Sequence, residues 1–261
     1  MTRREDGPVQ QLRMGGVVVD LATEQETMEI YRAALRGEGE PVAIESANLD
    51  HLHWFPTGSH DRSASGGLRW LTLMDGAPFV LTAKRVTGVD HERLTGADLL
   101  EPMLRAAAEE GASVGFFGGM PELHARLRGE LERRLPELRI AGMWAPERSD
   151  LADPARAARW AEVVRESGAD VVAVALGKPR QEDWIREHGV ASGARALLAF
   201  GAAADFIAGT VERAPQFWQD NHLEWAYRLS REPKRLARRY LLQGPPSLVR
   251  LLTRTERLLR Y

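Results

Sequence analysis

The chain has 261 residues, 44% apolar and 28% charged, with a formal net charge of −2. These proportions are those of an ordinary globular protein and point to neither disorder nor a disulfide scaffold, and the length suits one large α/β domain or two small ones. With no cysteine, disulfides, thiolate catalysis and Cys-ligated metals are excluded, which fits a reducing cytoplasm.

Residues 1–14 are polar and contain acids, so they read as an N-terminal extension and not as a secretory signal. Short β-branched runs then alternate with helical patterns. Strands are expected at 16–20, 41–45, 69–74, 112–117, 138–142, 170–176 and 195–200. Helices are expected at 24–35, 97–110, 121–135, 154–167 and 179–188, and three of these open with proline, the residue favoured at the first helical position. The runs VVAVAL and ALLAF are almost wholly apolar, as in strands covered on both faces. The Gly/Ser-rich stretch 55–67 reads as a mobile loop. No apolar run approaches the roughly 20 residues that span a bilayer.

Alternating β and α elements predict an α/β fold, a doubly wound and mostly parallel sheet over residues 15–222. Residues 223–261 follow as a helical C-terminal appendage. Ligands of such sheets bind beyond the carboxyl ends of the strands. The residues there are Ser46 and Asn48, Asp75-Gly76, Gly118-Gly119, Gly177 with Gln181, and Gly201 with Asp205. Small residues that open helices suit phosphate, although any one glycine also serves a turn. No G-x-G-x-x-G, G-x-x-x-x-G-K-[ST] or Asp-x-Asp occurs, which argues against a dinucleotide dehydrogenase, a P-loop enzyme and a carboxylate-held divalent cation. His51 and His53 have no nearby carboxylate at metal-ligand spacing, so positioning or plain structure is the better reading, and no metal or other cofactor is expected. On residues alone, Asp75-Gly76 reads better as a turn than as a catalytic site. Asp205 serves equally well as a helix cap or as a partner for a ligand hydroxyl.

The tail departs from the rest in charge. Residues 228–261 hold ten Lys/Arg against Glu232 and Glu256, a net of +8, and the remainder carries −10. Helical spacing from Trp225 places Leu229, Leu236 and Tyr240 on one face and Arg228, Arg231, Arg235, Arg238 and Arg239 opposite. Residues 247–261 read as a second basic amphipathic helix, with Leu248, Leu251, Leu252, Leu258 and Leu259 on its apolar side. Such a helix suits an anionic membrane surface, and packing between copies in a homo-oligomer is the alternative. Nucleic acid is not expected as a partner.

In order along the chain, S-A-N-L-D-H (46–51), M-D-G-A-P (74–78), R-L-T-G-A-D-L-L (93–100), F-F-G-G-M-P (116–121) and A-L-G-K-P-R-Q-E-D-W-I (175–185) resemble the WecG/TagA/CpsF glycosyltransferases, glycosyltransferase family 26. F-G-A-A-A-D-F-I-A-G (200–209), R-A-P (213–215) and L-E-W-A-Y-R-L-S-R-E-P-K-R-L-A-R-R-Y (223–240) continue the likeness. The resemblance implies a Rossmann-like core and an inverting, metal-independent transfer. It also implies a UDP-sugar donor, N-acetylmannosamine or a uronic-acid relative as the sugar, and a polyprenyl-diphosphate-linked sugar acceptor at the cytoplasmic membrane face. It makes Asp75 the base, sets Ser46 and Asn48 beside the acceptor, and gives Gln181 to the sugar nucleotide. Gly118, Gly119, Gly177 and Gly201 would line the nucleotide, with Asp205 on a hydroxyl and Arg228, Arg231 and Arg235 on the diphosphate. Ser46 stands where threonine is expected, and Ala202 and Ala203 where glycines are common. The rivals are a non-catalytic nucleotide-sugar-binding regulator, an NAD-linked oxidoreductase, and a transferase of this fold with a soluble acceptor.

Overall fold

The computed structural model describes residues 9–56, 66–220 and 223–258, the side chains of Gln219, Asp220 and Arg235 excepted. A hairpin comes first: β1 (Gln11–Met14) and β2 (Val17–Asp20) pair antiparallel across Gly15-Gly16. Both glycines have positive φ, which the turn requires and other residues rarely adopt. The strand expected at 16–20 is therefore not part of the main sheet. It belongs to a small antiparallel sheet of order β2-β1-β9, whose third strand, β9 (Thr255–Arg257), comes from the far end of the chain.

The main sheet contains β3 (Val42–Ala47), β4 (Arg69–Met74), β5 (Ser113–Gly118), β6 (Arg139–Trp144), β7 (Val171–Ala175) and β8 (Ala196–Leu198). All six run parallel, in the order β4-β3-β8-β7-β5-β6. This is the Rossmann-like α/β architecture expected from the alternating pattern. Alternation along β7 shows why its sequence is apolar throughout: Val171 and Ala173 enter one core, Val172 and Val174 the other. Helices α1 (Glu24–Leu35), α4 (Gly96–Glu109), α5 (Pro121–Arg134) and α9 (Ala203–Ile207) supply the first core. The second is closed by α6 (Arg148–Ala152), α7 (Pro154–Glu166) and α8 (Arg180–His188).

Two helices near the site escape the sequence pattern. The first, α2 (Leu49–Trp54), is only six residues long, too short for a periodic signature. The second, α3 (Ala77–Thr87), has Pro78 in its first turn, but Asp75-Gly76 before it mimics a loop. Both pack with the hairpin in a third core that includes Leu12, Val19, Leu52, Phe79 and Leu251.

The tail is not one continuous helix. After α10 (Gln216–Asp220), α11 (Glu224–Arg231) stops at Glu232, whose φ of −130° leaves the helical region before Pro233. Next come α12 (Pro233–Ala237), a π-helical turn over Arg238–Gln243 and α13 (Gly244–Thr253). The helix expected over 247–261 thus ends at Thr253. Gly15 N–H bonds the Arg254 carbonyl at 2.9 Å, and the chain then joins β1 as β9. Leu259, Arg260 and Tyr261 lie outside the described residues.

Candidate active site

The carboxyl ends of β3, β4, β7 and β8 open onto one cleft of about 1060 Å³, closed on its far side by the tail. Asp75 is the first residue beyond β4. Its N–H continues the ladder to the Ala47 carbonyl at 2.9 Å, and Gly76 (φ 96°) turns the chain into α3. Asp75-Gly76 therefore links a strand to a helix and is not a hairpin turn. The backbone geometry leaves the Asp75 carboxylate half-buried in the cleft wall.

Asn48 is the partner of Asp75. Its Oδ1 caps α2 by accepting the N–H groups of Asp50 and His51, both at 3.1 Å. Its Nδ2 is thereby turned toward Asp75 and donates to Oδ2 at 3.0 Å. One amide thus ends one helix and orients one carboxylate.

The opposite wall comes from β7, β8 and α8. Gln181 is buried, and its Nε2 donates to the Ala199 carbonyl at 2.9 Å and to Glu182 Oε1 at 3.0 Å. With both amide hydrogens engaged, its Oε1 is the atom left to accept from a ligand. Gly201 faces that atom so closely that a Cβ would come 2.7 Å from Gln181 Oε1. Ser46, Gly177 and Asp205 line the same cleft. Asp205 is not the cap of α9, because Ala202 holds that position.

Charge in the cleft is mostly compensated. Arg239 lies 3.4 Å from Asp50, and Arg93 lies 3.8 Å from Glu224. Arg85 donates to the Leu252 carbonyl at 2.8 Å. Arg228 differs: it stands over the Phe206 ring at 5.7 Å and, among the described residues, pairs with no carboxylate. Trp225 and Tyr240 meet edge to face at 5.9 Å along the same wall, so the apolar face expected of the tail survives its break at Pro233.

Three expected residues are not brought to this cleft. Gly118 and Gly119 do not line it. A Cβ on Gly118 would meet the Ala175 carbonyl oxygen at 2.6 Å and one on Gly119 would meet Leu123 at 2.9 Å, so both glycines answer to packing. Arg231 pairs instead with Glu212 at 3.3 Å on the surface. The Arg235 side chain lies outside the described residues.

Beneath the floor is a buried polar cluster that the sequence pattern does not reveal. Lys178 Nζ donates to Glu182 Oε1 at 2.7 Å, His51 Nδ1 at 3.0 Å and the Ser46 carbonyl at 3.1 Å. His51, Glu45 and Glu182 are fully buried, with His51 Nε2 4.0 Å from Glu45 Oε1. Glu45 also accepts from Thr72 Oγ1 at 2.7 Å. Burial pushes the Glu182 carboxyl up, while the Lys178 ammonium opposes that shift. The signals in the sequence were Glu45 in the mostly apolar β3 and the i,i+4 spacing of Lys178 and Glu182.

Compared with known families, the chain matches the model of the glycosyl transferase WecG/TagA/CpsF family over residues 12–260.

Proposed function

The chain belongs to the WecG/TagA/CpsF glycosyltransferase family, enzymes of cell-surface polysaccharide synthesis, and on that premise we propose an inverting, metal-independent transfer with Asp75 as base. The donor is a UDP-sugar, N-acetylmannosamine or a uronic-acid relative, and the acceptor a polyprenyl-diphosphate-linked sugar. The observation that carries this reading is the Asp75–Asn48 pair at 3.0 Å in a cleft shared with Gln181 and Arg228.

In the proposed step the acceptor hydroxyl gives its proton to the Asp75 carboxylate. Its oxygen forms the new bond to the anomeric carbon as the bond to UDP breaks on the opposite face. Asn48 fixes the carboxylate without adding charge. Gln181 Oε1 accepts a hydrogen bond from the donor. Arg228 offsets the negative charge that grows on the departing diphosphate, an effect strengthened where protein replaces water. Ser46, Gly177, Gly201 and Asp205 complete the pocket.

No helix among the described residues is long and apolar enough to cross a membrane. The proposed site of action is the cytoplasmic membrane face. Exposed Leu241, Leu242 and Val249 beside Arg238 and Arg254 support contact with anionic lipid.

The test is UDP release from UDP-N-acetylmannosamine and related donors, with and without lipid-linked N-acetylglucosamine. Acceptor-dependent release and an inverted anomeric centre in the product, read by NMR, are expected. Retention of configuration would overturn the single displacement.

A further inference from the structure

We propose that Lys178 is a positioning residue for the transfer, holding the Asn48–Asp75 wall in register with the Gln181 wall. The inference rests on the reading of Asp75 and Gln181 given above. Its basis is Lys178, whose side chain is only 12% exposed although the residue borders the cleft.

An ammonium has three N–H donors. Here three acceptors lie at 2.7–3.1 Å: Glu182 Oε1, His51 Nδ1 and the Ser46 carbonyl. Satisfied in this way, Lys178 is not the cation that meets a diphosphate. It is instead the internal counterion of a cluster in which His51, Glu45 and Glu182 offer ligand atoms within 4.8 Å of one another. Such a set would suit a divalent cation, but the ammonium already bonds two of its three members. Its bond to Nδ1 also fixes the His51 tautomer, with the ring proton on Nε2 facing Glu45.

What the ammonium joins gives it a role beyond charge balance. Ser46 is the penultimate residue of β3, and His51 lies in the helix that Asn48 caps, so both belong to the wall that orients Asp75. Glu182 shares its Oε1 with Gln181 Nε2 and so belongs to the donor wall. One atom therefore spans from base to donor. A shift of about 1 Å between groups that must react can cost about a hundredfold in rate, whereas binding UDP alone needs only the donor wall.

The experiment compares Lys178→Met, Lys178→Met/Glu182→Gln, Asn48→Ala and Asn48→Ala/Lys178→Met in the full chain. UDP affinity is read by calorimetry and kcat by the UDP-release assay. Lys178→Met should lower kcat by about ten- to a hundredfold while UDP affinity stays within about threefold. Removing the unpaired buried carboxylate in Lys178→Met/Glu182→Gln should restore thermal stability without restoring kcat. The Asn48→Ala/Lys178→Met variant should be little slower than the slower single variant, because both act through Asp75. Unchanged kcat in the folded Lys178→Met/Glu182→Gln variant would overturn the proposal, as would kcat restored with stability. A parallel loss of UDP affinity would overturn it by making Lys178 a direct donor contact. Failure of the underlying reading has a separate signature: full activity in Asp75→Asn.

Discussion

At Asn48 one side chain carries two separable duties. Its Oδ1 caps α2 and its Nδ2 holds Asp75. Asn48→Asp keeps the cap acceptor but sets a second carboxylate against Asp75, so thermal stability should hold near wild type while turnover falls at least tenfold. Asn48→Ala removes both duties and should also cost about 1 kcal/mol of stability in urea unfolding. Gly201→Ala would push a methyl group into Gln181 Oε1. The expected result is a donor KM raised several-fold with the melting temperature little changed. Two histidines away from the cleft weaken the fold as pH falls, against the opposite effect of the raised Glu182 carboxyl. Burial holds both His91 and His188 below their ordinary value of 6.5. Depressed pKa values mean that the unfolded chain takes up protons first, so stability is full above 6.5 and declines as pH falls through the folded values. Melting temperatures measured from pH 7.5 to pH 5 should fall, and His188→Gln should flatten part of that slope.

Among the elements, the long periodic ones were legible and the short ones were not. Helices α4, α5, α7 and α8 and the six parallel strands lie within a residue or two of the expected bounds, because their patterns answer directly to two-sided burial. The hairpin strand β1 was hidden in a polar segment: Leu12 and Met14 are buried, but Gln11 and Arg13 alternate with them. The last helix was read too long. Its leucine spacing continues past Thr253, yet pairing with β1 captures the backbone first. Ser46, Asn48 and Asp75 were legible as residues at the ends of β3 and β4, and they line one cleft. The bond between Asn48 and Asp75 was not, since it depends on the short helix α2. Likewise Lys178 and Glu182, four residues apart, are far along the chain from Glu45 and His51, and only parallel pairing brings the two pairs together beneath one cleft. The resemblance implies Arg231 at the diphosphate; it shares α11 with Arg228, which lines the cleft, but Arg231 pairs with Glu212 on the surface.

For the whole molecule, an acidic body and a basic tail are joined more tightly than composition suggests. Leu236 and Leu251 are buried, and β9 is stitched into the N-terminal sheet. Removing residues 223–261 would therefore strip a core, and Leu251→Ala alone should cost roughly 2–5 kcal/mol. Surface substitutions are the cleaner probe of lipid contact. Leu241 and Leu242 are 58% and 69% exposed. The pair Leu241→Asp and Leu242→Asp should abolish sedimentation with anionic liposomes and leave the melting temperature unchanged. Binding that persists would remove this surface from the membrane contact. Asp75→Asn probes the proposed base, because the amide can replace the carboxylate beside Asn48 without filling or emptying the cleft. UDP affinity and acceptor-dependent UDP release should be measured on the same preparation. With Asp75 as the base, unchanged affinity is expected with turnover reduced by about 10²–10⁴. Turnover within about threefold of wild type would contradict that role.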